Sequence, residues 1–225
     1  MSDEVVPPSP TTAAPGGEPA RRPSRWWIAG VPVAVALMLG ASAYRVDTFW
    51  FQNDLHRQTA VAEPGDWAEV TWEYEDAVGA TQRTFAVRFA GWGDTARDIT
   101  GRSIDDVVLP DGTTARQVRL EFRAAPDQVM SGCVVELVDA TGRRFETGTP
   151  GTYVGSRNPC VPEESPGPSA PLLEGERRGV LPPDTSPRPE IWTATPWVAT
   201  PEDARIVEVR VSYGSPDYLA LRTPD

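Results

Sequence analysis

Lysine is absent from this chain of 225 residues; all 21 basic residues are arginine. That absence removes the Walker-type phosphate loop, the Schiff-base lysine and the Ser-Lys dyad, each of which needs an amine. Histidine is nearly as scarce. His56 stands alone, so a multi-histidine metal site is excluded and general-base chemistry has a single histidine to draw on. The G-x-S-x-G nucleophile elbow is missing, and no internal repeat is visible. Positive charge is in deficit: 32 acidic residues against 21 basic give a net charge of −11. Nucleic acid is therefore not expected as a partner, since phosphate contacts need a basic surface. Cysteine is limited to Cys133 and Cys160.

What is present begins with an uncharged run of 19 residues, WWIAGVPVAVALMLGASAY, from Trp26 to Tyr44. As a helix it spans about 28 Å, close to the hydrocarbon thickness of a bilayer. Trp26 and Trp27 stand at one end, and Tyr44, Phe49, Trp50 and Phe51 at or beyond the other, as in an interfacial aromatic belt. Pro32 lies near the helix start, where a missing donor costs little. Arg21, Arg22 and Arg25 precede the run, which predicts a cytoplasmic N-terminus and an extracytoplasmic remainder. Ala41-Ser42-Ala43 also fits a signal-peptide cleavage site, but the leader is long and the apolar stretch exceeds the usual h-region. A retained signal-anchor in the cell membrane is the favoured reading, single-pass, and a cleaved signal the open alternative. Gly30 and Ala34 have the small-xxx-small spacing that helix packing uses, a pattern common by chance.

The chain divides accordingly. Residues 1–25, rich in Pro, Ala, Gly, Ser and Thr, read as a disordered cytoplasmic tail. Residues 26–44 are the transmembrane helix and 45–66 a juxtamembrane stalk, into which the helix could continue as far as Leu55. Residues 67–225 form the outer domain, interrupted at 159–190 by a proline-rich excursion over the surface.

Within that domain, period-two alternation predicts strands. Ala68, Val70, Trp72 and Tyr74 alternate with Glu69, Thr71, Glu73 and Glu75, and a turn is expected over Asp76–Gln82. Phe85, Val87 and Phe89 form the next face. A short run follows at Ile104–Leu109, ended by a Pro110-Asp111-Gly112 turn. Val118, Leu120 and Phe122 come next. Then Cys133, Val135 and Leu137 alternate with Val134, Glu136 and Val138, and Asp139–Gly142 closes a hairpin onto Phe145. Tyr153-Val154 could add an edge strand. Ile191-Trp192, Val207–Tyr213 and Tyr218–Leu221 complete the set, with the last strands returning into the sheet across the excursion. Short strands without amphipathic helices predict an all-β fold, an antiparallel β-sandwich.

Both cysteines fall on the outer side, where pairs oxidise, so a Cys133–Cys160 disulfide is expected to pin the excursion to a core strand. His56 lies in the stalk, a poor place for catalysis. The pairs Asp105-Asp106 and Glu163-Glu164 cannot form dyads alone, because neighbours on a strand face opposite ways. Asp94 and Asp184 precede Thr without the Gly of an aspartic-protease motif, and Asp94, Asp98 and Asp111 lack EF-hand spacing. No metal or cofactor is expected. Among Trp67, Trp72, Trp92, Trp192 and Trp197, the best candidate for an exposed partner-binding ring is Trp92, flanked by Gly91 and Gly93. Trp72 and Trp192 suit the core.

A short tail, one helix, a stalk and Cys-containing strands together resemble single-pass membrane-anchored proteins of high-GC actinobacteria with an immunoglobulin-like extracytoplasmic domain. The Arg-for-Lys usage agrees with such a genome. VVELVDATGRRFET, Val134 to Thr147, looks like the strand–turn–strand hairpin of immunoglobulin-like surface modules. The resemblance implies fold and location and carries no catalytic residue. The expected function is a membrane-anchored extracytoplasmic binding or scaffold module of the cell envelope, its partner a protein or cell-wall polymer. The alternatives are a carboxylate-dependent enzyme acting on an envelope component and a structural subunit of a larger membrane complex.

Overall fold

The computed structural model describes residues 26–46, 48, 54–93, 109–147, 158–162, 164–181, 183 and 185–224. The tail 1–25, the aromatic run 49–51, the strand expected at 104–109 except for Leu109, and Tyr153-Val154 lie outside the described residues. The chain forms two compact units, Met1–Arg45 and Val46–Asp225.

The first unit contains α1, Trp26–Val46, which covers the expected 26–44. Its described side chains over 30–43 are exposed at every position, including Val31, Val33, Leu37 and Met38. Among the described residues no helix is long and apolar enough to cross a membrane.

The second unit is all-β. One sheet is built from β2 (Ala68–Asp76), β3 (Gly79–Trp92), β4 (Thr113–Arg123), β7 (Ile191–Ala194) and β8 (Trp197–Pro201). Its order is β2-β3-β4-β7, with β8 also on β4, and every pairing is antiparallel. The other sheet orders β1 (Arg57–Ala62), β10 (Asp217–Arg222), β9 (Ile206–Gly214), β5 (Val134–Asp139) and β6 (Arg144–Glu146) as β1-β10-β9-β5-β6. The expected alternation holds on β2, where Ala68 and Val70 are buried and Glu69, Thr71, Glu73 and Glu75 are exposed. The sheets share one core. Phe85, Val87, Leu120 and Phe122 from the first meet Val135, Leu137, Val209, Val211 and Leu219 from the second. Phe85 and Tyr213 touch edge to face across the layers at 4.9 Å.

Four expectations need correction. The segment 45–66 is not all stalk: residues 57–62 pair with β10, and in parallel, so the sheets are not wholly antiparallel. RQTAVA carries little apolar alternation and is mostly exposed, as suits an edge strand held by backbone bonds and the Arg57–Asp217 ion pair. The turn over Asp76–Gln82 is shorter than expected. Asp76 Oδ1 accepts the Val78 N–H at 2.9 Å, so the chain reverses within Ala77-Val78 and β3 starts at Gly79, whose φ is +113°. β8 was not foreseen; Pro196 splits the edge of β4 into β7 and β8, and its carbonyl accepts the Val118 N–H at 3.0 Å. Finally, Gly91 and Gly93 do not frame a loop. Gly91, at φ +127°, follows a bulge inside β3, and Trp92 remains paired with Val118.

Candidate functional site

The disulfide is present where expected. Cys133 and Cys160 are bonded, with Cα atoms 6.0 Å apart and both residues buried. Its surroundings are denser than the sequence implied. Trp192 stacks on Phe122 at 5.5 Å, and its indole N–H donates to the Cys160 carbonyl at 2.8 Å. Two arginines fasten the remainder of the proline-rich segment. Arg178 forms a two-pronged pair with Asp76, at 2.7 and 2.8 Å. That guanidinium, against the opposing effect of burial, holds the Asp76 carboxyl below its usual range. Arg188 is only 1% exposed, and it donates to the carbonyls of Pro166, Ala125 and Gln128 at 3.0, 2.9 and 2.8 Å. Its guanidinium also lies 4.5 Å over the Trp192 ring. No sequence signal marks Arg188, because its partners are backbone atoms of distant segments.

The tryptophans are occupied. Trp92 is half-buried and packs edge-on against Phe89 at 5.3 Å, joined to the core rather than offered to solvent. Trp67 lies under Arg88 and Arg123, at 4.8 and 5.3 Å. Trp72 meets Phe85 at 5.3 Å, and Trp197 is buried. The loop expected around Trp92 is therefore replaced by the end of β3, with the ring packed on Phe89.

Several of the described carboxylates are matched to guanidiniums. Glu136, which alternates with Val135 and Leu137, is only 7% exposed, because the outer face of its sheet is covered as well. There Arg210 reaches Glu136 at 3.2 Å and Glu208 at 2.7 Å, Arg222 reaches Glu208 at 2.7 Å, and Arg144 pairs with Asp54. Leu55, Tyr218 and Ala220 pack as a small apolar cluster. Burial pushes the Glu136 carboxyl up from its usual value, against the pull of Arg144 and Arg210. Burial also opposes ionisation of Asp139, but hydrogen bonds from the Thr141 hydroxyl and amide and from Arg143 outweigh it and hold that carboxyl well below its range. Asp139 thereby organises the Asp139–Gly142 hairpin expected from the sequence. His56 is exposed, its Nδ1 3.0 Å from the Asp54 carbonyl. Asp94, Asp98, Asp105, Asp106, Glu163 and Asp184 lie outside the described residues. Asp111 and Glu164 are exposed, and among the described residues no metal-holding group of His, Cys, Asp or Glu occurs.

Two grooves remain. One, of about 390 Å³, is lined by Pro64, Gly65, Arg88, Phe89, Gly91 and Glu121, with Arg88 and Glu121 paired to each other. The other, of about 400 Å³, lies within the proline-rich segment between Pro171, Leu172, Arg177, Val180 and Leu181. Glu176 in its wall accepts the amides of Leu172 and Leu173, which turns both leucines outward. Leu172, Leu173 and Val180 are 85%, 67% and 59% exposed. Each groove holds a single carboxylate that is already engaged, so neither supplies the pair that acid–base hydrolysis of a glycoside uses. No family model, curated protein or solved structure matches this chain.

Proposed function

We propose that the chain is a membrane-anchored extracytoplasmic scaffold or binding module, an immunoglobulin-like β-sandwich that docks a protein partner through its proline-rich segment. The observation that carries this reading is the exposure of Leu172, Leu173 and Val180 on a segment held by a disulfide, Arg188 and Arg178. Large apolar side chains on an immobilised segment associate without a large ordering cost. A protein fits better than a cell-wall polymer, because sugar recognition needs free aromatic faces and Trp67, Trp72, Trp92, Trp192 and Trp197 are all engaged by their own chain. Location rests on two supports. A helix that is uncharged and exposed over residues 30–43 suits a lipid or protein covering, and a disulfide suits an oxidising compartment. The immunoglobulin-like reading draws on two sheets over one core, with a tryptophan packed near the disulfide. It is a likeness of architecture, since the bridge joins the residue before β5 to irregular chain and β1–β10 is parallel.

Protease added to intact spheroplasts should digest residues beyond 46 and spare the N-terminal tail; full protection refutes the topology. A photo-crosslinking residue placed at Leu173 should trap one discrete protein, and Leu172→Ser with Val180→Ser should abolish that product. A crosslink unaffected by the double substitution refutes this docking surface.

A further inference from the structure

The stretch 172–180 carries Glu174, Glu176, Arg177 and Arg178, and two of these are committed within the chain. Glu176 accepts the amides of Leu172 and Leu173, and Arg178 pairs with Asp76 and donates to the Gly79 carbonyl. A turn in which the Glu176 N–H donates to the Leu173 carbonyl at 3.3 Å completes the path. Gly179 rests against the main domain, where a Cβ would come within 3.2 Å of the Asp127 carbonyl oxygen. One charge of each sign is left over. Glu174 and Arg177 are exposed, and neither has an ion-pair partner among the described residues. They are interleaved with the exposed Leu172, Leu173 and Val180, and Arg177 lines the groove of about 400 Å³ together with Leu172 and Val180.

An immobilised apolar patch with one uncommitted charge of each sign discriminates among partners. A surface of a single sign would pair one of the two charges and repel the other. The patch is complementary to itself. Across a two-fold axis residue i meets j while j meets i, so Glu174 faces Arg177 twice, with Leu172, Leu173 and Val180 between the two pairs. We propose that the 172–180 patch is a homodimer contact, its occupant the same patch of a second copy of this chain. The inference rests on the docking role proposed above and names the partner. Three exposed apolar side chains per copy fall short of a stable interface, which covers about 800 Å² on each partner. Anchoring both copies in one membrane offsets that shortfall by raising their effective concentration. The net charge of −11 on each chain opposes approach, so the two ion pairs also set the register in which the copies meet.

The test uses the purified full chain in phosphatidylcholine vesicles, with a photo-crosslinking residue in place of Leu173. Irradiation should give a product of twice the chain's mass. Glu174→Arg and Arg177→Glu should each lower its yield about tenfold, because either reversal sets two pairs of like charges against each other. Combining the two reversals should restore the product. A product that survives either single reversal, or that the combination does not restore, overturns the proposal, as does its absence in wild type. Mass mapping of the wild-type product decides the matter even if a variant fails to fold. A link from position 173 into residues 170–181 of the second copy supports the contact, and a link to α1 or anywhere else overturns it. In native membranes, a Leu173 product that contains a different protein and is lost in the Leu172→Ser, Val180→Ser double variant refutes the dimer and leaves the docking reading standing.

Discussion

Arg188→Met tests whether the proline-rich segment is part of the fold or merely lies on it. The substitution keeps an apolar stem of similar length and deletes three donations, to Pro166, Ala125 and Gln128 at 3.0, 2.9 and 2.8 Å. Hydrogen bonds from a charged donor contribute about 1.5–3 kcal/mol each, so the gross loss is roughly 5–9 kcal/mol. The variant no longer buries a cation, which returns several kcal/mol. It does leave three carbonyls without their donor, and it loses the contact with Trp192 at 4.5 Å. The net expectation is a destabilisation of about 3–5 kcal/mol, in the range reserved for broken buried networks. Urea unfolding of the full chain, followed by tryptophan fluorescence, should show the midpoint falling by about 2 M for a slope near 2 kcal/mol/M. Arg188→Lys should fall between wild type and Arg188→Met, because one ammonium cannot span three carbonyls as a planar fork does. Proteolysis between residues 164 and 181 should accelerate in both variants. A midpoint shift below about 0.5 M, with unchanged proteolysis, would refute the idea that this cation organises the segment.

Replacing both Cys133 and Cys160 by Ala should cost about 3–4 kcal/mol, because the bridge closes a loop with a sequence separation of 27; thiol titration of the unfolded, unreduced wild type should find no free thiol. Trp92→Ala should lower stability by about 2 kcal/mol through the lost contact with Phe89 and leave the Leu173 crosslink intact; a stable variant with no crosslink would restore Trp92 as a binding residue. Asp139 and Asp76 have depressed carboxyl pKa values, so their contribution is complete above the ordinary aspartate range near pH 4 and is lost as pH falls toward the folded values. Asp139→Asn should flatten that acid limb of stability, and an unchanged slope would show that the carboxylate does not control it.

Residues 68–75 and 85–89 show why part of this protein is legible from its sequence. A strand with one face against a core must alternate, and the pattern sits in the chain itself. The Pro110–Gly112 and Asp139–Gly142 turns are equally local, being set by side chains a few residues apart. With Cys133 and Cys160 the only cysteines in the sequence, an intrachain disulfide could join no other pair. Tertiary structure decided the rest, because the determining partners are distant. RQTAVA becomes β1 only because β10, some 160 residues later, offers it an open edge. Glu136 is buried because Arg210, Arg144 and the 54–55 segment cover a sheet face that its own neighbours suggest is wet. Trp92 packs because a bulge before Gly91, not a loop, carries it onto Phe89. Arg83 and Arg188 read as surface charge by type, and they are interior because the aromatic rings and carbonyls that hold them come together only when both sheets and the proline-rich segment close around one core.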